Sequence, residues 1–475
     1  MMEDNAFRVE HDLIGELPVP ADAYYGIHTA RALANFSVLG RPCHAELIKA
    51  MAAVKTAAAR TNRALGWLDP EAAGAICEAA EEVSRGRMHE WICVDGLQGG
   101  AGTSLNMNVN EVIANRAAER LGYCKGDYTR IHPNDHVNLH QSTNDVFPTA
   151  LKIAALRLLD GLEARIAGLQ LQMQAKERAF AGALKMGRTE LQDACPTTFG
   201  ATFGAWAEAI ARDRWRVFKC KERLRVVNLG GTAIGTGVTA PRDYVFRVVG
   251  ALREVTNLNL SRAENLLDAT QNADVFVEVS GILKAHAVNL YKISADIRLM
   301  ASGPCAGLNE ISLAPVQAGS SMMPGKINPV ICETVAQAAM AMIGHDAAIT
   351  QACQSGQLEL NAFLPLVAQS LLEGLSSLIA ANEAFGRSIA AIEVNAAEAL
   401  RRVETSWAIV TALVPALGYE QATRIAAAAR ATGRTVRDLT RETGLIDDAE
   451  LDRLLSPAAM TQLGYVAPRA SNEKP

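Results

Sequence analysis

A short stretch rich in hydrogen-bond donors, AGSSMMPGKINPV (residues 318 to 330), is the first place where this sequence could do chemistry. It contains two adjacent hydroxyls, Ser320 and Ser321, followed by the ammonium of Lys326 and the amide of Asn328. It has no acid and no histidine, so it offers no conventional general base. Because almost all of its polar groups donate hydrogen bonds, the stretch predicts an anionic ligand.

Three other segments share this composition of small hydroxyl and amide side chains. A single segment of this kind is usually a turn or a helix cap. Four of them in one chain, if they converge, provide enough donors to surround the two carboxylates of a small diacid. The three segments are GGAGTSLNMN with Thr103, Ser104 and Asn106, HQSTND with Ser142, Thr143 and Asn144, and KMGRTELQDA with Arg188, Thr189 and Glu190.

Two further patterns could indicate a metal or a nucleotide, and both are weak. His132, His136 and His140 are spaced by four, as in a helical metal site, but Pro133 interrupts them and PNDHVN is typical of a loop. The stretch GTGVTA, from Gly235, fits a loose dinucleotide fingerprint. It lacks the preceding strand and the acid that would hold a ribose. We therefore expect neither a metal site nor a dinucleotide site.

The elements that must position these segments are mostly helices. A stripe of apolar residues recurs at spacings of four and three, from Leu151 through Leu162 to Met173, and Pro148 marks a place where this helix could start. Similar patterns cover about 199 to 228, 274 to 303, 329 to 354 and 362 to 387. Five such helices, at ~1.5 Å per residue, predict a mainly α fold with a long central bundle. Their stripes are wide enough for bundles from several subunits to join.

Composition excludes several classes of protein. The chain has 475 residues, 49% of them hydrophobic and 20% charged, and a net charge of −5, which is ordinary for a soluble globular protein. The sequence has no stripe of basic residues, so nothing in it predicts nucleic-acid binding. The start has no apolar signal region, and no stretch reaches the ~18 uninterrupted apolar residues of a membrane span. The 9 cysteines are scattered singly, which favours reduced thiols in the cytoplasm.

The pattern along the chain divides it into three domains. Residues 1–143 are predicted to form a mixed, mainly helical N-terminal domain. Residues 144–398 form the long-helix bundle that carries the donor-rich loop, and 399–475 form a small, charged helical domain.

The stretch GSSMMPGKINP (319 to 329) resembles the signature loop of the aspartase/fumarase superfamily, and the motif is too specific for a chance match. The resemblance runs along nearly the whole chain, including RVEHDLIGELPVPADAYYGIHTARALANF, QGGAGTSLNMNVNEVIANR, PNDHVNLHQSTNDVFPTA and GRTELQDACP. In QGGAGTS, QSTND and AYYGIHT the details are similar to aspartate ammonia-lyases more than to class II fumarases. The resemblance implies a three-domain, mainly α-helical subunit, a homotetramer whose active sites are each shared by three subunits, and no cofactor.

It also implies a reaction, the reversible anti-elimination of ammonia from L-aspartate to give fumarate, through an aci-carboxylate intermediate. Ser320 matches the general base of the family, and Gly319 and Gly325 would let its loop open and close. The substrate-binding residues implied are Thr103, Ser142, Thr143 and Ser321 at the β-carboxylate, Thr189, Lys326 and Asn328 at the α-carboxylate, and Asn144, with Thr143, at the leaving amine.

Two departures from the family pattern concern specificity. Glu190 stands where hydratases of the superfamily have histidine and aspartases often have glutamine or histidine; its carboxylate suits a cationic substituent. Phe363 and Leu364 stand where many aspartases have methionine and glutamate. The alternatives are therefore a lyase for an N-substituted or betaine-type amino acid, a fumarate hydratase, or a non-catalytic structural paralogue. Retention of Ser320, Lys326 and Thr189 argues against the last.

Overall fold

The computed structural model describes residues 7 to 465, and these are mainly α-helical. They form two compact units that are interleaved along the sequence. The first unit comprises the chain up to Arg165 together with Asp213–Val288 and Gln337–Ala381. The second comprises Ile166–Arg212, Asn289–Ala336 and the chain from Asn382 onward. The predicted domains are continuous segments of the sequence, with boundaries at 143/144 and 398/399, whereas each compact unit is made of several segments. The three-domain division therefore stays a prediction.

Five long helices carry the fold, as the sequence predicts. They are α5 (Thr143–Ala179), α6 (Phe199–Leu224), α9 (Asp274–Met300), α10 (Val330–Gln354) and α11 (Leu364–Ala390). The predicted stripe of α5 is buried at Leu151, Leu162 and Met173. The mainly α-helical fold is therefore confirmed, because the period of the apolar residues matches the helical period that buries them.

Shorter helices complete the described chain. Before α5 lie α1 (Ile27–Asn35), α2 (Ala45–Ala64), α3 (Pro70–Ser84) and α4 (Thr103–Arg120). Between α6 and α9 lie α7 (Arg242–Thr256) and α8 (Leu266–Gln271). After α11 come α12 (Ala396–Thr405), α13 (Val414–Leu417), α14 (Tyr419–Thr432), α15 (Val436–Thr443), α16 (Asp448–Leu454) and α17 (Pro457–Thr461). Two 3-10 helices span His89–Trp91 and Trp407–Leu413.

Strands are few and pair only two at a time in the described residues. The antiparallel pairs are β1 (Phe7–Asp12) with β2 (Gly15–Pro20), β3 (Leu184–Thr189) with β4 (Gln192–Thr198), and β7 (Ile311–Ser312) with β8 (Glu393–Val394). The parallel pair is β5 (Val226–Val227) with β6 (Ser261–Arg262).

Two prolines behave differently from the prediction. Helix α5 begins at Thr143 and continues through Pro148, so Pro148 does not mark its start. Proline has no N–H to donate to the carbonyl of Asn144, and the side-chain amide of Asn228 donates to that oxygen instead, at 3.0 Å. Pro133 begins a single π-helical turn, Pro133–Val137, where a loop was predicted. A first helical position tolerates proline because its N–H needs no partner.

Helix α11 is long and apolar enough to cross a membrane by length and composition. Most of its apolar stretch is buried within the protein; Val367, Leu371 and Leu375 are fully buried. A core helix has this same signature, so α11 is weak evidence for a span.

The helices from α12 onward have a core of their own. Val403, Leu413, Ile425 and Leu451 are buried in it together with Met186 of β3. Helices α12 to α16 therefore pack against the hairpin that carries Thr189.

Candidate active site

The first predicted binding residue, Thr103, begins α4. Its hydroxyl donates to the carbonyl of Gly100 at 2.7 Å, and the residue is exposed. Gly102, just before it, has φ 95°, and a Cβ there would come within 2.2 Å of the ring of Phe147. The glycine therefore lets the start of α4 pack directly on the first turns of α5.

Ser142, Thr143 and Asn144 form the start of α5. The Ser142 hydroxyl oxygen accepts from the backbone N–H of Asn144 at 3.2 Å, and the Asp145 carboxylate accepts from the backbone N–H of Ser142 at 3.0 Å. This reciprocal arrangement is a capping box with aspartate in the usual place of glutamate. It fixes the backbone of the three predicted residues at a helix N-terminus, where anions bind well.

Asn144 is held on both its backbone and its side chain. Its carbonyl accepts from Asn228, and its own side-chain amide donates to the carbonyl of Ala233 at 2.7 Å. The buried carboxylate of Asp145 also accepts from the backbone N–H groups of Gly230 and Thr232, at 2.9 and 3.0 Å. Burial raises the pKa of Asp145 to about 6. The segment 228–233 therefore fixes the orientation of Asn144.

Lys55 of α2 was not predicted from the sequence, yet it lies directly behind these helix starts. Its ammonium donates to the side-chain oxygens of Asn106, Asn138 and Gln141, at 2.7, 2.9 and 3.0 Å. Burial lowers the pKa of Lys55 to about 7. A lone lysine within the apolar run AMAAVKTAAA was the available signal. The network links the start of α4 to the residues that precede Ser142.

Thr189 and Glu190 lie at the tip of the β3–β4 hairpin in the second unit. The tip residues Glu190 and Leu191 have φ 52° and 62°, so both adopt the left-handed conformation of a type I′ turn without the usual Asn or Gly. Thr189 and Glu190 are exposed. Arg188 points away from Glu190, since its guanidinium lies 2.7 Å from the buried carboxylate of Glu310. Glu190 is therefore not paired with its neighbour Arg188.

The donor-rich loop, residues 319–328, is closed at its neck. The backbone N–H of Gly319 donates to the carbonyl of Lys326 at 2.9 Å, and the side-chain amide of Asn328 donates to the carbonyl of Gly319 at 2.7 Å. A Cβ at position 319 would lie 2.2 Å from the Lys326 carbonyl oxygen, so only glycine allows this closure. One N–H of the Asn328 amide is thus used within the loop, and within residues 7 to 465 its second N–H and its oxygen have no hydrogen-bond partner.

Inside the loop, the hydroxyl oxygen of Ser320 accepts two hydrogen bonds. The donors are the backbone N–H groups of Met322 and Met323, at 3.1 and 2.9 Å. Ser321 and Lys326 are exposed, as is Met322 at 82%. The loop therefore aims two amide dipoles at one serine oxygen and presents its remaining donors outward.

The predicted residues belong to both units. Thr103, Ser142, Thr143 and Asn144 share one region of the first unit, at the adjacent starts of α4 and α5. Within the second unit, Thr189 and Glu190 form no hydrogen bond with the loop 319–328 among the described residues.

The histidine and glycine patterns have local roles. The Nδ1 atom of His132 accepts from the backbone N–H groups of Asn134 and Asp135, and His136 Nδ1 accepts from that of His132. His140 Nδ1 lies 2.8 Å from the side-chain oxygen of Asn62. Among residues 7 to 465 no cluster of His, Cys, Asp or Glu could hold a metal ion. In GTGVTA, the N–H groups of Gly235 and Gly237 both donate to one carbonyl, that of Gly231, and so are not directed at a ligand.

The second departure from the family pattern, at Phe363 and Leu364, involves two residues that differ in exposure. Phe363 is 48% exposed, whereas Leu364, at the start of α11, is buried. The Asn361 side chain accepts from the backbone N–H of Phe363 at 2.8 Å, which fixes the turn. Of the two residues, only Phe363 has a surface with which to meet a ligand.

Comparison with known proteins identifies the family. Residues 15–344 match the family described as Lyase, and residues 409–462 match Fumarase C C-terminus. The chain is 46% identical over 459 residues to an aspartate ammonia-lyase of Bacillus subtilis (strain 168), covering 96% of this chain and 97% of that one. It is 47% identical over 466 residues to an aspartate ammonia-lyase of Pseudomonas aeruginosa, covering 97% of each.

Two solved structures are similar along nearly their whole length. A fumarate lyase:delta crystallin from Brucella melitensis, bound to cobalt, superposes with a TM-score of 0.93 at 43% identity, covering 96% of this chain and 100% of that one. A class II fumarase from Schistosoma mansoni superposes with a TM-score of 0.92 at 30% identity, covering 96% and 99%.

Proposed function

Because the chain belongs to the Lyase family that matches residues 15–344, we propose that it is an aspartate ammonia-lyase, which removes ammonia from L-aspartate to give fumarate. The observation that carries this proposal is 46% to 47% identity to aspartate ammonia-lyases along 96% to 97% of the chain. The enzyme is thus a carbon–nitrogen lyase, and the reaction is reversible.

The difficult step is removal of a proton from the carbon next to the β-carboxylate. The second negative charge of the resulting aci-carboxylate collects on that carboxylate, and preorganised donors are what such a step requires. A serine base must act as an oxyanion. The two backbone N–H groups that donate to Ser320 Oγ support this role, because donors aimed at an oxygen favour its charged form.

The donor groups suit the two ends of the substrate. Thr103, Ser142, Thr143 and Ser321 bind the β-carboxylate, and the positive helix N-termini of α4 and α5 favour its charge. At the other end, Thr189, Lys326 and Asn328 bind the α-carboxylate. Asn144 and Glu190 face the amine, and Ser320 is the catalytic base.

The resemblance to the aspartase/fumarase superfamily implies a site assembled from several subunits. In our proposal the protein is a cytoplasmic homotetramer, and three subunits contribute to each active site. Its only ligands are the small substrate and products, and it needs no cofactor.

A second activity is favoured by Phe363, an exposed aromatic residue where many aspartases have methionine. Elimination from an N-substituted aspartate would place an apolar substituent near the amine, where such a ring could contact it. Malate, the hydratase substrate, has a neutral hydroxyl in place of the ammonium, so it forms no charge pair with a carboxylate at position 190.

The deciding experiment follows fumarate by its ultraviolet absorbance, with L-aspartate, L-malate and N-methyl-aspartate offered separately to the purified protein. We expect rapid fumarate production from L-aspartate and little from L-malate. Higher kcat/KM with N-methyl-aspartate would assign the second activity, and fumarate from malate alone would make the protein a hydratase.

A further inference from the structure

Lys55 is a buried cation in an apolar setting. It lies in the middle of α2, with Val54 before it and Thr56 after it, and its exposed fraction is 0%. An ammonium loses its hydration in such a place, which is costly unless other groups replace the water. An apolar residue would pack at this position. The presence of a lysine there therefore indicates that its charge has a function.

Neutral oxygens take all three N–H groups of this ammonium. They belong to the side chains of Asn106, Asn138 and Gln141. The Asn138 oxygen also accepts from the side-chain amides of Asn106 and Asn110, each at 3.2 Å. Lys55 is thus the centre of an amide network rather than half of an ion pair.

The network reaches both groups of predicted binding residues in the first unit. Asn106 lies three residues after Thr103, one helical turn into α4. Gln141 directly precedes Ser142, the cap of α5. Lys55 therefore sets the distance between two helix N-termini that must bind one carboxylate together.

The positive charge of Lys55 is only partly offset. Asp145 is the acid whose attraction acts on it, but the Asp145 oxygens accept backbone N–H groups of Ser142, Gly230 and Thr232. Among residues 7 to 465, no carboxylate is in direct contact with the ammonium. Its field adds to the positive ends of α4 and α5, and a low-dielectric surrounding makes that field strong.

We propose that Lys55 is a positioning residue of the elimination reaction: it fixes the starts of α4 and α5, and its charge stabilises the extra negative charge that develops on the substrate's β-carboxylate. The proposal rests on the aspartate ammonia-lyase function proposed above. Lys55 acts through Asn106, Asn138 and Gln141 and does not touch the substrate.

Two variants of the full-length protein test the role of the charge. Lys55→Met removes it and keeps an unbranched side chain. Asn138→Asp leaves Lys55 in place and neutralises it with a carboxylate of nearly the same shape. In assays at pH 6, where the Lys55 side chain carries its charge, we expect each to lower kcat at least ~10-fold while KM for L-aspartate changes less than ~3-fold. The extra negative charge exists in the intermediate and not in the substrate.

The matched control is Lys152→Met. Lys152 is also a buried lysine of the first unit, with its ammonium 2.7 Å from the carbonyl of Val226, and it lies more than two turns along α5 from Asn144. We expect this variant to keep kcat within ~2-fold, since it removes a buried charge that is not aimed at the helix starts.

Inhibitor affinities separate an electrostatic role from a purely structural one. Succinate resembles the substrate dianion, whereas the nitronate of 3-nitropropionate carries two negative oxygens where the aci-carboxylate does. Both variants should lose at least ~10-fold more affinity for the nitronate than for succinate. Equal losses for the two ligands, or wild-type kcat in Asn138→Asp, would overturn the proposal. If Lys55→Met does not fold, Asn138→Asp decides alone. Absence of fumarate from L-aspartate in the wild-type protein would instead refute the proposed function.

Discussion

The hydroxyl oxygen of Ser320 lies 2.9 Å from the backbone nitrogen of Met323, whose N–H donates to it. Met322 adds a second such bond at 3.1 Å. The two donors belong to the same short loop as the serine, so in the proposed closure over a substrate they would move with it. A serine with this environment suits a base that travels with its own stabilising groups.

Ser320→Ala is expected to remove nearly all turnover while the fold and the assembly stay intact, because the base is lost from an otherwise unchanged loop. Fumarate production by the purified variant measures this, with circular dichroism and size-exclusion chromatography as checks on the fold. Ser312→Ala, in β7, is the control and should keep wild-type activity. A Ser320→Ala rate above about a tenth of wild type would refute the assignment, since a positioned base typically gives ~10²-fold or more.

Lys326→Ala is expected to raise KM for L-aspartate strongly, and Lys326→Arg is not expected to restore it. The backbone of Lys326 closes the loop neck on Gly319, so its ammonium is presented from a fixed point. A planar guanidinium does not replace a compact ammonium in a tight loop. Steady-state kinetics of the two variants decide, and a near-normal KM with arginine would show that this contact is loose.

Mixed assemblies of two inactive variants test whether sites are shared. Thr103→Val and Ser320→Ala should each abolish turnover alone. If the two residues of one site come from different subunits, random co-assembly leaves both intact in about a quarter of the sites, and co-expression restores about a quarter of wild-type activity. Co-expression of two differently tagged Ser320→Ala copies is the control. No recovery in the mixed assembly would place Thr103 and Ser320 of each site in the same subunit.

Patterns within one element predicted the fold well. The stripe from Leu151 to Met173 and its four counterparts predicted all five long helices, because the period of apolar residues directly reflects the face that is buried. The predicted start of α5 at Pro148 was wrong, because local rules place a proline at the beginning of a helix and this one lies inside it. Asn228, 84 residues from Asn144, supplies the hydrogen bond that Pro148 cannot, and no local pattern indicates this.

Contacts between distant elements also explain what was missed at the site. Lys55 gave only a weak signal, since its partners Asn106, Asn138 and Gln141 are 51, 83 and 86 residues away. The roles assigned to Ser320, Lys326 and the other site residues stay predictions. These roles depend on how the donor groups are arranged around a bound substrate.

We expect the titration of Glu111 to contribute to the pH dependence of the protein's stability. This buried carboxylate accepts from the backbone N–H groups of Gly26, His28 and Thr29, and burial raises its pKa from 4.5 to about 7. The native state therefore binds the proton more tightly than the unfolded chain. Glu111 thus lowers stability as the pH rises from about 4.5 to about 7. Glu111→Gln does not titrate, so its deficit in melting temperature relative to wild type should shrink between pH 5 and 7. A deficit that grows with pH would contradict the sign of this shift.

We propose that Glu190 selects a cationic substituent on the substrate. Its backbone is in the left-handed region at φ 52°, a conformation that an ordinary residue adopts at a cost and that is often kept at functional sites. Its neighbour Arg188 is bound to Glu310, so this guanidinium does not neutralise the Glu190 carboxylate. A carboxylate presented in this way suits the ammonium group of L-aspartate, and it forms no charge pair with the neutral hydroxyl of malate.

We therefore expect Glu190→Gln to raise KM for L-aspartate several-fold and to narrow the discrimination against malate. A close charge pair partly shielded from water contributes ~1 to 3 kcal/mol, and the amide removes the charge while keeping the shape. Glu190→His should instead move the pH profile, because an imidazole gains its charge near neutral pH and would then repel the ammonium. Kinetics on both substrates between pH 6 and 9 measure these effects, and Leu191→Asn, which suits the same turn conformation, is the control for the hairpin. If both Glu190 variants keep the wild-type KM and pH profile while the control does too, Glu190 does not face the amine, and specificity must come from elsewhere in the site.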